Sequence, residues 1–312
     1  MPASGQLWVT NSLGGFLSNN AFSEKIRVAA QPQMLFRTHV DAEMEKGEQK
    51  GGDTVLFDKI RNVTTAGASL SETSTIPKTE FQIVQDSVVI AEFGNSVPFT
   101  EKLSVVSKIS VPELTRIALT NDMAKVLDSQ AAAQFTATEY LAVCETTAST
   151  VFTSSGTTAG TAAVANMSDK NLRDIIDDMK KKNVPKINGK YKGIVSTNTI
   201  RGLYDFFEAK ANFTTLGIAN SGLVGEYYGV TLMEETNFLP NNIGTGTVFG
   251  SGIIFGADAV REKIVTPEEV RIKIPSDYGR DRGMAWYYMG NFKITWTHTS
   301  DSEAHIVHIT SA

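Results

Sequence analysis

The run from Ser110 to Phe135 contains one proline, close to its start, and no glycine, and this constrains the chain more than any other stretch. Ser110 and Glu113 fit the S-x-x-E capping box, in which two side chains satisfy backbone donors at a helix start. Pro112 falls in the first turn, where its missing N–H removes no hydrogen bond. Leu119, Met123, Leu127, Ala131 and Phe135 then recur every fourth residue, and Ile117, Ala124 and Val126 widen the apolar stripe. At 1.5 Å per residue the helix spans roughly 35–40 Å. That is the length of a strut across a domain. A strand-like, turn-rich region precedes it and a mixed α/β region follows it.

The bulk numbers bound what such a strut serves. A chain of 312 residues buries a sizeable core and has room for two or three subdomains. A net charge of −5 argues against a surface whose main task is to coat nucleic acid, and leaves room for a local basic patch. The single cysteine, Cys144, excludes an intrachain disulfide and reads as a small buried apolar side chain. Met1–Asn20 lacks a basic start followed by an apolar core, so no signal peptide is expected. No apolar run approaches the ~20 residues that span a bilayer, so no membrane is expected.

Ahead of the strut, Asn11–Asn20 is rich in Gly, Ser and Asn and reads as an extended arm, with a short helix at Phe22–Ala30. Two readings of the arm stay open: a free tail, or a segment that orders across a neighbouring subunit. Met34–Val40 reads as a strand. Glu43–Gly52 is charged and ends in a Gly51-Gly52 turn. In Asp53–Asn62, Val55, Phe57 and Ile60 alternate against Thr54, Asp58 and Arg61, which suits a strand broken at Lys59. A second alternating region runs from Thr79 to Pro98, and the polar Val63–Lys78 lies between them. Together they describe a long β-hairpin. Such a hairpin is marginally stable alone and must lie on something. An ordinary surface hairpin is one reading. The length of the unstructured tip favours the other, an arm that reaches a neighbour.

Behind the strut, Ala137–Ala148 reads as a continuation of the helix or a second helical piece, and Ser149–Thr161 as a surface connection. Ser168–Asn183 is an amphipathic helix with Ser168 as N-cap, an apolar stripe of Leu172, Ile175, Ile176 and Met179, and Lys180–Lys182 at the end where the helix dipole favours cations. A strand at Tyr191–Ser196, a helix at Asn198–Ala211 and strands at Gly229–Met233 and Thr247–Phe255 indicate a mixed sheet covered by helices. The chain then returns to β structure. Val270–Ile274, Met284–Met289, Phe292–Thr297 and His305–Ile309 are strands, with a charged turn at Asp277–Gly283, and they are expected to fold back on the strut.

Sites of chemistry are not apparent. No H-E-x-x-H, G-x-S-x-G or phosphate-cradling loop occurs, and Gly244, Gly246 and Gly250 do not open a helix as a dinucleotide fingerprint requires. His305 and His308 sit three apart in a strand and point to opposite faces, which makes them poor metal partners. The doublets Asp177-Asp178 and Glu234-Glu235 diverge on either helix or strand. Trp286, Tyr287, Tyr288 and Trp296 lack interleaved basic residues and read as core or interface packing. No catalytic residue, cofactor or metal is assigned.

The order of parts is arm, long hairpin, long helix, inserted α/β region and returning strands. It resembles the major capsid proteins of tailed double-stranded DNA phages, the Hong Kong 97-type α+β fold, and locally the branch typified by coliphage N-four. The likeness is carried by GDTVLFDKIRNVTTAGASLSETSTIPKTEF, SVPELTRIALTNDMAKVLDSQAA, GSGIIFGADAVREK and DYGRDRGMAWYYMGNFKIT. The resemblance implies an N-terminal arm at 1–51, an extended loop at 52–108 that overlaps the adjacent subunit, a peripheral domain at 109–140 and 259–312 with the strut as its spine, and an axial domain at 141–258. It implies hexamers and pentamers of the chain around packaged double-stranded DNA held without sequence specificity, in a virion assembled in the host cytoplasm. A separate scaffolding protein is implied because the arm is short, and a portal and a decoration protein are further partners. The turn Pro275–Gly283 would lie at a peripheral tip near contacts between capsomers. Lys59, Arg61, Glu72, Lys78 and Glu80 of the loop, with Arg280, Asp281 and Arg282 of the turn, are thereby candidate subunit-contact residues. No self-crosslinking Lys–Asn pair is identified. An encapsulin-like cargo shell and a tail or adhesin component are the alternatives, with an enzyme site in the α/β insertion as the third.

Overall fold

The structure is a computed structural model that describes residues 30–44 except 33, residues 53–154 except 62, 64–66, 68, 74, 77 and 108, and residues 165–211, 226–239, 250–298 and 303–311. The readings made for the arm before residue 30, for Gly51-Gly52 and for Gly244 and Gly246 lie outside the described residues. In chain order the elements are β1 (Asp41–Met44), β2 (Thr54–Ile60), β3 (Ile83–Val89), β4 (Ala91–Thr100), α1 (Glu101–Val106), α2 (Val111–Thr136), β5 (Leu141–Thr146), β6 (Ser149–Thr153), α3 (Asp169–Lys181), β7 (Tyr191–Val195), α4 (Thr197–Ala211), β8 (Glu226–Tyr227), β9 (Val230–Glu234), β10 (Gly250–Phe255), β11 (Val260–Ile272), β12 (Asp281–Ile294) and β13 (Ile306–Ser311). They form a four-stranded sheet β1-β11-β12-β4, a seven-stranded mixed sheet β6-β5-β13-β10-β7-β9-β8, and the two-stranded β2–β3.

Helix α2 joins the two larger sheets. The Ser110 hydroxyl accepts from the Glu113 N–H at 3.4 Å, as the capping motif predicts. The Glu113 carboxylate turns instead to Arg116 at 2.7 Å, so its half of the reciprocal box goes to an i,i+3 ion pair. Of the predicted stripe, Leu119, Leu127, Ala131 and Phe135 are buried and Met123 is half-buried. The Phe135 ring stands 5.5 Å from Phe36 and 4.8 Å from Phe255 between centroids. It therefore meets the N-terminal segment and the seven-stranded sheet at once. On the other side, Trp286 Nε1–H donates to Asp122 at 2.9 Å, which ties α2 to the four-stranded sheet.

Several segments differ from the sequence reading, each for a packing reason. Met34–Val40 is not a strand. Phe36 drops into the α2 core, Arg37–His39 form a 3-10 turn whose Arg37 N–H reaches Asp128 at 3.1 Å, and strand structure starts only at Asp41. The Arg37 guanidinium then clamps Glu262 and Glu268, both at 2.9 Å, beneath the hydroxyl of Tyr288. Ala137–Ala148 does not prolong the helix. Leu141–Cys144 are all buried, because β5 lies inside a sheet covered on both faces, and a short unbroken apolar run suits that position. β6 occupies the start of what read as a connection. Thr79–Pro98 changes partners at Ile90: β3 pairs with β2, whereas β4 pairs with β12.

The return strands are longer than expected. β11 starts at Val260, and β12 runs unbroken through Gly290-Asn291. A Cβ on Gly290 would meet the Lys263 carbonyl at 2.4 Å, so this glycine permits close strand approach and does not mark a turn. The last strand also leaves the expected division. β13 inserts between β10 and β5 in the seven-stranded sheet, with Val307 and Ile309 in the core shared with α3 and α4 and Ile306 in the core shared with α2. The α3 prediction holds, with Asn171 completing a capping box with Ser168.

Candidate assembly surfaces

In the β2–β3 hairpin, directly opposed residues share a face. Val55–Val88, Phe57–Asp86 and Lys59–Val84 form one row, and Thr54–Val89, Leu56–Ser87, Asp58–Gln85 and Ile60–Ile83 form the other. The first row seats the limb on the body. The Arg261 guanidinium lies 5.4 Å over the Phe57 ring, and Asn291 Nδ2 donates to the Val89 carbonyl at 2.8 Å. Lys59 does not break the strand. It is the third member of the inward row, only 4% exposed, and its ammonium donates to the Thr295 carbonyl at 2.9 Å and reaches Asp86 at 3.4 Å. Its amphipathic stem lies along the apolar row. Ile60, expected to face in, faces out.

The second row carries a surplus of apolar side chains. Leu56 is 56% exposed, Ile60 66%, Ile83 58% and Val89 59%. Beyond the strands, Val63, Leu70, Ile76 and Phe81 are exposed too. Of the charged candidates in this region, Glu72, Lys78 and Glu80 are exposed on the distal segment, and Arg61 closes β2 with its backbone N–H on the Gln82 carbonyl at 3.0 Å. Lys59 stands apart from them, since it is spent inside its own chain. Sequence reasoning missed the outward row. The signal was present as Leu56 and Ile60 in phase with Thr54 and Asp58, a second apolar row on a hairpin that needs only one.

The second surface is the far end of β11–β12. Asp277, Tyr278 and Gly279 have φ of 50°, 53° and 91°, three consecutive left-handed residues of which two are not glycine. A non-glycine residue there is unfavourable by about 1–2 kcal/mol. The tip is held by its own charges. Asp281 binds Lys273 and accepts from the Ser276 hydroxyl at 2.9 Å, which keeps its carboxyl below the usual range. Arg280 lies 3.5 Å from Asp277, and Arg282 pairs with Glu101 of α1 at 2.6 Å. The structure thus brings Arg280, Asp281 and Arg282 together, but with intrachain partners. Beside these charges the tip also presents apolar surface: Tyr278, Ile272, Ile274, Val105 and Val106 are strongly exposed.

The ionisable groups that the sequence singled out elsewhere are held in structural roles. Cys144 is buried in β5, and burial pushes its thiol up to about 12. The Glu235 carboxylate accepts from the N–H groups of Asn237, Phe238 and Leu239, and Asp178 accepts from the Tyr140 hydroxyl at 2.7 Å. Glu234 instead takes the Thr197 hydroxyl, and Asp177 pairs with Lys180, so each acidic doublet diverges. His305 Nδ1 lies 2.8 Å from the Ala257 carbonyl and His308 Nε2 2.7 Å from Ser251 Oγ. Trp286 and Tyr288 are buried in the α2 core. Among the described residues no group of three or more His, Cys, Asp or Glu is placed to hold a metal, and no helix is long and apolar enough to cross a membrane.

Comparison with known proteins agrees with this architecture. The chain is similar in fold to the capsid of Helicobacter pylori bacteriophage KHP30, with a TM-score of 0.70 at 13% identity over 97% of each chain. It is similar to the capsid of Ralstonia phage GP4, with a TM-score of 0.68 at 13% identity over 96% of each chain. It is also similar to the capsid of cyanophage P-SCSP1u, with a TM-score of 0.68 at 12% identity over 95% of this chain and 93% of that one. No curated protein matches the chain. The family profile described as phage capsid protein matches residues 84–304, from β3 to just before β13. The spine helix, the two sheets and the protruding limb are the Hong Kong 97-type fold, and the chain belongs to the phage capsid protein family, as a shell component of the virion.

Proposed function

We propose that the chain tiles an icosahedral head as hexamers and pentamers, and that the head encloses double-stranded DNA. The observation that carries this reading is the outward row of β2–β3, where Leu56, Ile60, Ile83 and Val89 stand exposed on a limb whose root is fastened to the body. With 56–66% of each side chain still to be covered, each contributes about 1–2 kcal/mol when a neighbour buries it. Head-to-tail contacts between identical subunits close into rings when the rotation permits. Rings of five and of six need the same surface to meet at slightly different angles. A two-stranded limb accommodates that difference more readily than the broad, multiply packed sheets. Limb overlap also adds area toward the roughly 1,200–2,000 Å² that stable interfaces need.

The rest of the reading follows from that overlap. Residues 52–90 form the reaching loop, with Arg61, Glu72, Lys78 and Glu80 at the neighbour contact and Lys59 as the anchor of its root. The α2 helix and the four-stranded sheet form the peripheral part, and the seven-stranded sheet, with β13, the axial part. Tyr278 and the Arg280–Arg282 tip meet a subunit of the next capsomer. A scaffolding protein guides assembly in the host cytoplasm, a portal occupies one vertex, and a decoration protein binds outside. The net charge of −5 suits a container that holds DNA without sequence preference. The test is electron microscopy of the chain expressed with and without a co-expressed scaffold. Closed shells are expected, and deletion of Val63–Lys78 is expected to leave folded subunits that assemble poorly. Trimers or open rings only, or normal heads from the deletion, would refute the reading.

A further inference from the structure

The stretch KKKNVPKINGK, from Lys180 to Lys190, concentrates five lysines in a chain that is acidic overall. The sequence accounts for Lys180–Lys182 as cations at a helix C-terminus. That role does not reach Lys186, which follows one left-handed turn, or Lys190, which follows two. The first turn ends α3: Asn183, at φ 56°, donates its N–H to the Lys180 carbonyl at 3.0 Å, and the Val184 N–H returns to Met179 at 3.1 Å. The second is the Asn188-Gly189 turn, at φ 52° and 78°, closed by two hydrogen bonds between Ile187 and Lys190 at 2.9 and 3.1 Å. Between them the Pro185 carbonyl accepts from Ala257 at 2.9 Å, and the Val184 carbonyl accepts from the Tyr191 hydroxyl at 3.1 Å. The loop is therefore a stiff knuckle at the end of the seven-stranded sheet, with Val184 and Ile187 turned into the cores and Lys181 and Lys186 exposed.

The charges on it are incompletely answered. Lys180 pairs with Asp177 at 3.3 Å, Lys182 with Asp178 at 3.2 Å and Lys190 with Glu226. Among the described residues no carboxylate pairs with Lys181 or Lys186, and both are exposed. The rings beneath the knuckle, Tyr140 and Tyr191, are buried and are covered by Lys182, at 3.1 Å, and Lys186, at 5.4 Å, so no aromatic face is offered to a base and Lys186 has a ring but no counter-charge beside it. Exposed lysines on a rigid support without stacking platforms fit the phosphate backbone of a duplex, which presents one charge per ~1.7 Å and is gripped without regard to sequence.

We infer that the Lys180–Lys190 knuckle is a sequence-independent contact for double-stranded DNA, with Lys181 and Lys186 as its principal cations. The inference rests on the proposed function, because a duplex contact has a use only on a subunit that encloses DNA. The test uses the full-length subunit in solution, and so does not depend on shell formation. Anisotropy of a labelled 30-base-pair duplex of arbitrary sequence is measured across a salt series. For K181Q/K186Q, the slope of log affinity against log salt is expected to fall by about 1.8, and affinity at low salt at least about tenfold. K181R/K186R should restore both, and K102Q, an exposed lysine on α1, should change the slope by at most one phosphate contact. An unchanged slope in K181Q/K186Q would overturn the inference. So would polyglutamate binding the wild-type chain more tightly than the duplex, which would assign the knuckle to an acidic protein partner. Failure of the wild-type chain to form shells is a separate result: it refutes the shell reading and is seen without DNA.

Discussion

Replacing Lys59 by Met keeps the length of the stem that lines the inward row of the limb and removes its charge. Contacts that depend on that charge include the hydrogen bond to the Thr295 carbonyl at 2.9 Å, the ion pair with Asp86 at 3.4 Å, and the approaches to the Trp296 ring at 5.6 Å and the Phe57 ring at 5.9 Å. Removing a charged partner from a buried hydrogen bond costs about 1.5–3 kcal/mol. An exposed pair such as Lys180–Asp177 is worth about 0.2–1 kcal/mol at most, so burial decides which change matters. Because Thr295 lies just past β12 and Lys59 on β2, the loss falls on the seam between limb and body. The opened limb should become roughly 10- to 150-fold more populated. Hydrogen exchange followed by mass spectrometry reads this directly. Peptides covering Thr54–Ile60 and Ile83–Val89 should lose protection in K59M, while Gly250–Phe255 in the centre of the large sheet should not. Unchanged limb protection would refute the anchoring role. Equal losses in both regions would refute its local character.

Three further outcomes follow from particular contacts. Phe135→Ala removes the ring that packs on both Phe36 and Phe255, and should lower subunit stability in urea by about 3–5 kcal/mol, whereas Met123→Ala, half-buried on the same stripe, should lower it by clearly less. Burial lowers His308 from its ordinary 6.5 to about 4. The unfolded chain then takes up a proton that the native chain refuses, so this group's contribution is full above pH 6.5 and is lost as pH falls from 6.5 towards 4. The loss amounts to about 3 kcal/mol. His308→Gln should flatten the acid side of the stability profile in that window, as measured by urea titrations from pH 7.5 to 4; an unaltered profile would contradict the assignment. Tyr278→Gly relieves a left-handed non-glycine residue and should leave subunit melting unchanged or raised, yet reduce the yield of closed shells on electron micrographs, which a purely structural role for Tyr278 would not do.

Local rules read the helices well. Ser110 and Ser168 cap where they should, and the stripes of α2 and α3 point where their spacing puts them, because a helix is specified by neighbours three and four residues away. Strands depended on partners that no local pattern names. Leu141–Cys144 is apolar without a period, and only its place between β6 and β13 distinguishes a buried strand from a helix. Gly290-Asn291 resembles a turn until the Lys263 carbonyl is seen against it. Lys59 looked like an interruption because a charged side chain is rarely taken as a member of an inward row; its role needed the Thr295 carbonyl, 236 residues away. For the assembly surfaces, the charged residues of the loop and turn were visible in the sequence. Half of the outward row, Leu56 and Ile60 in phase with Thr54 and Asp58, stood in the sequence unread, and the β2–β3 register joined Ile83 and Val89 to it.

A reconstruction of the assembled particle at side-chain detail tests the central claim most directly. The account places the outward row of β2–β3 beneath an adjoining subunit, with Leu56 and Ile83 excluded from solvent and Lys59 still on its own Thr295. A shell in which that row stays bare, or in which the limb touches only the chain that carries it, would contradict it.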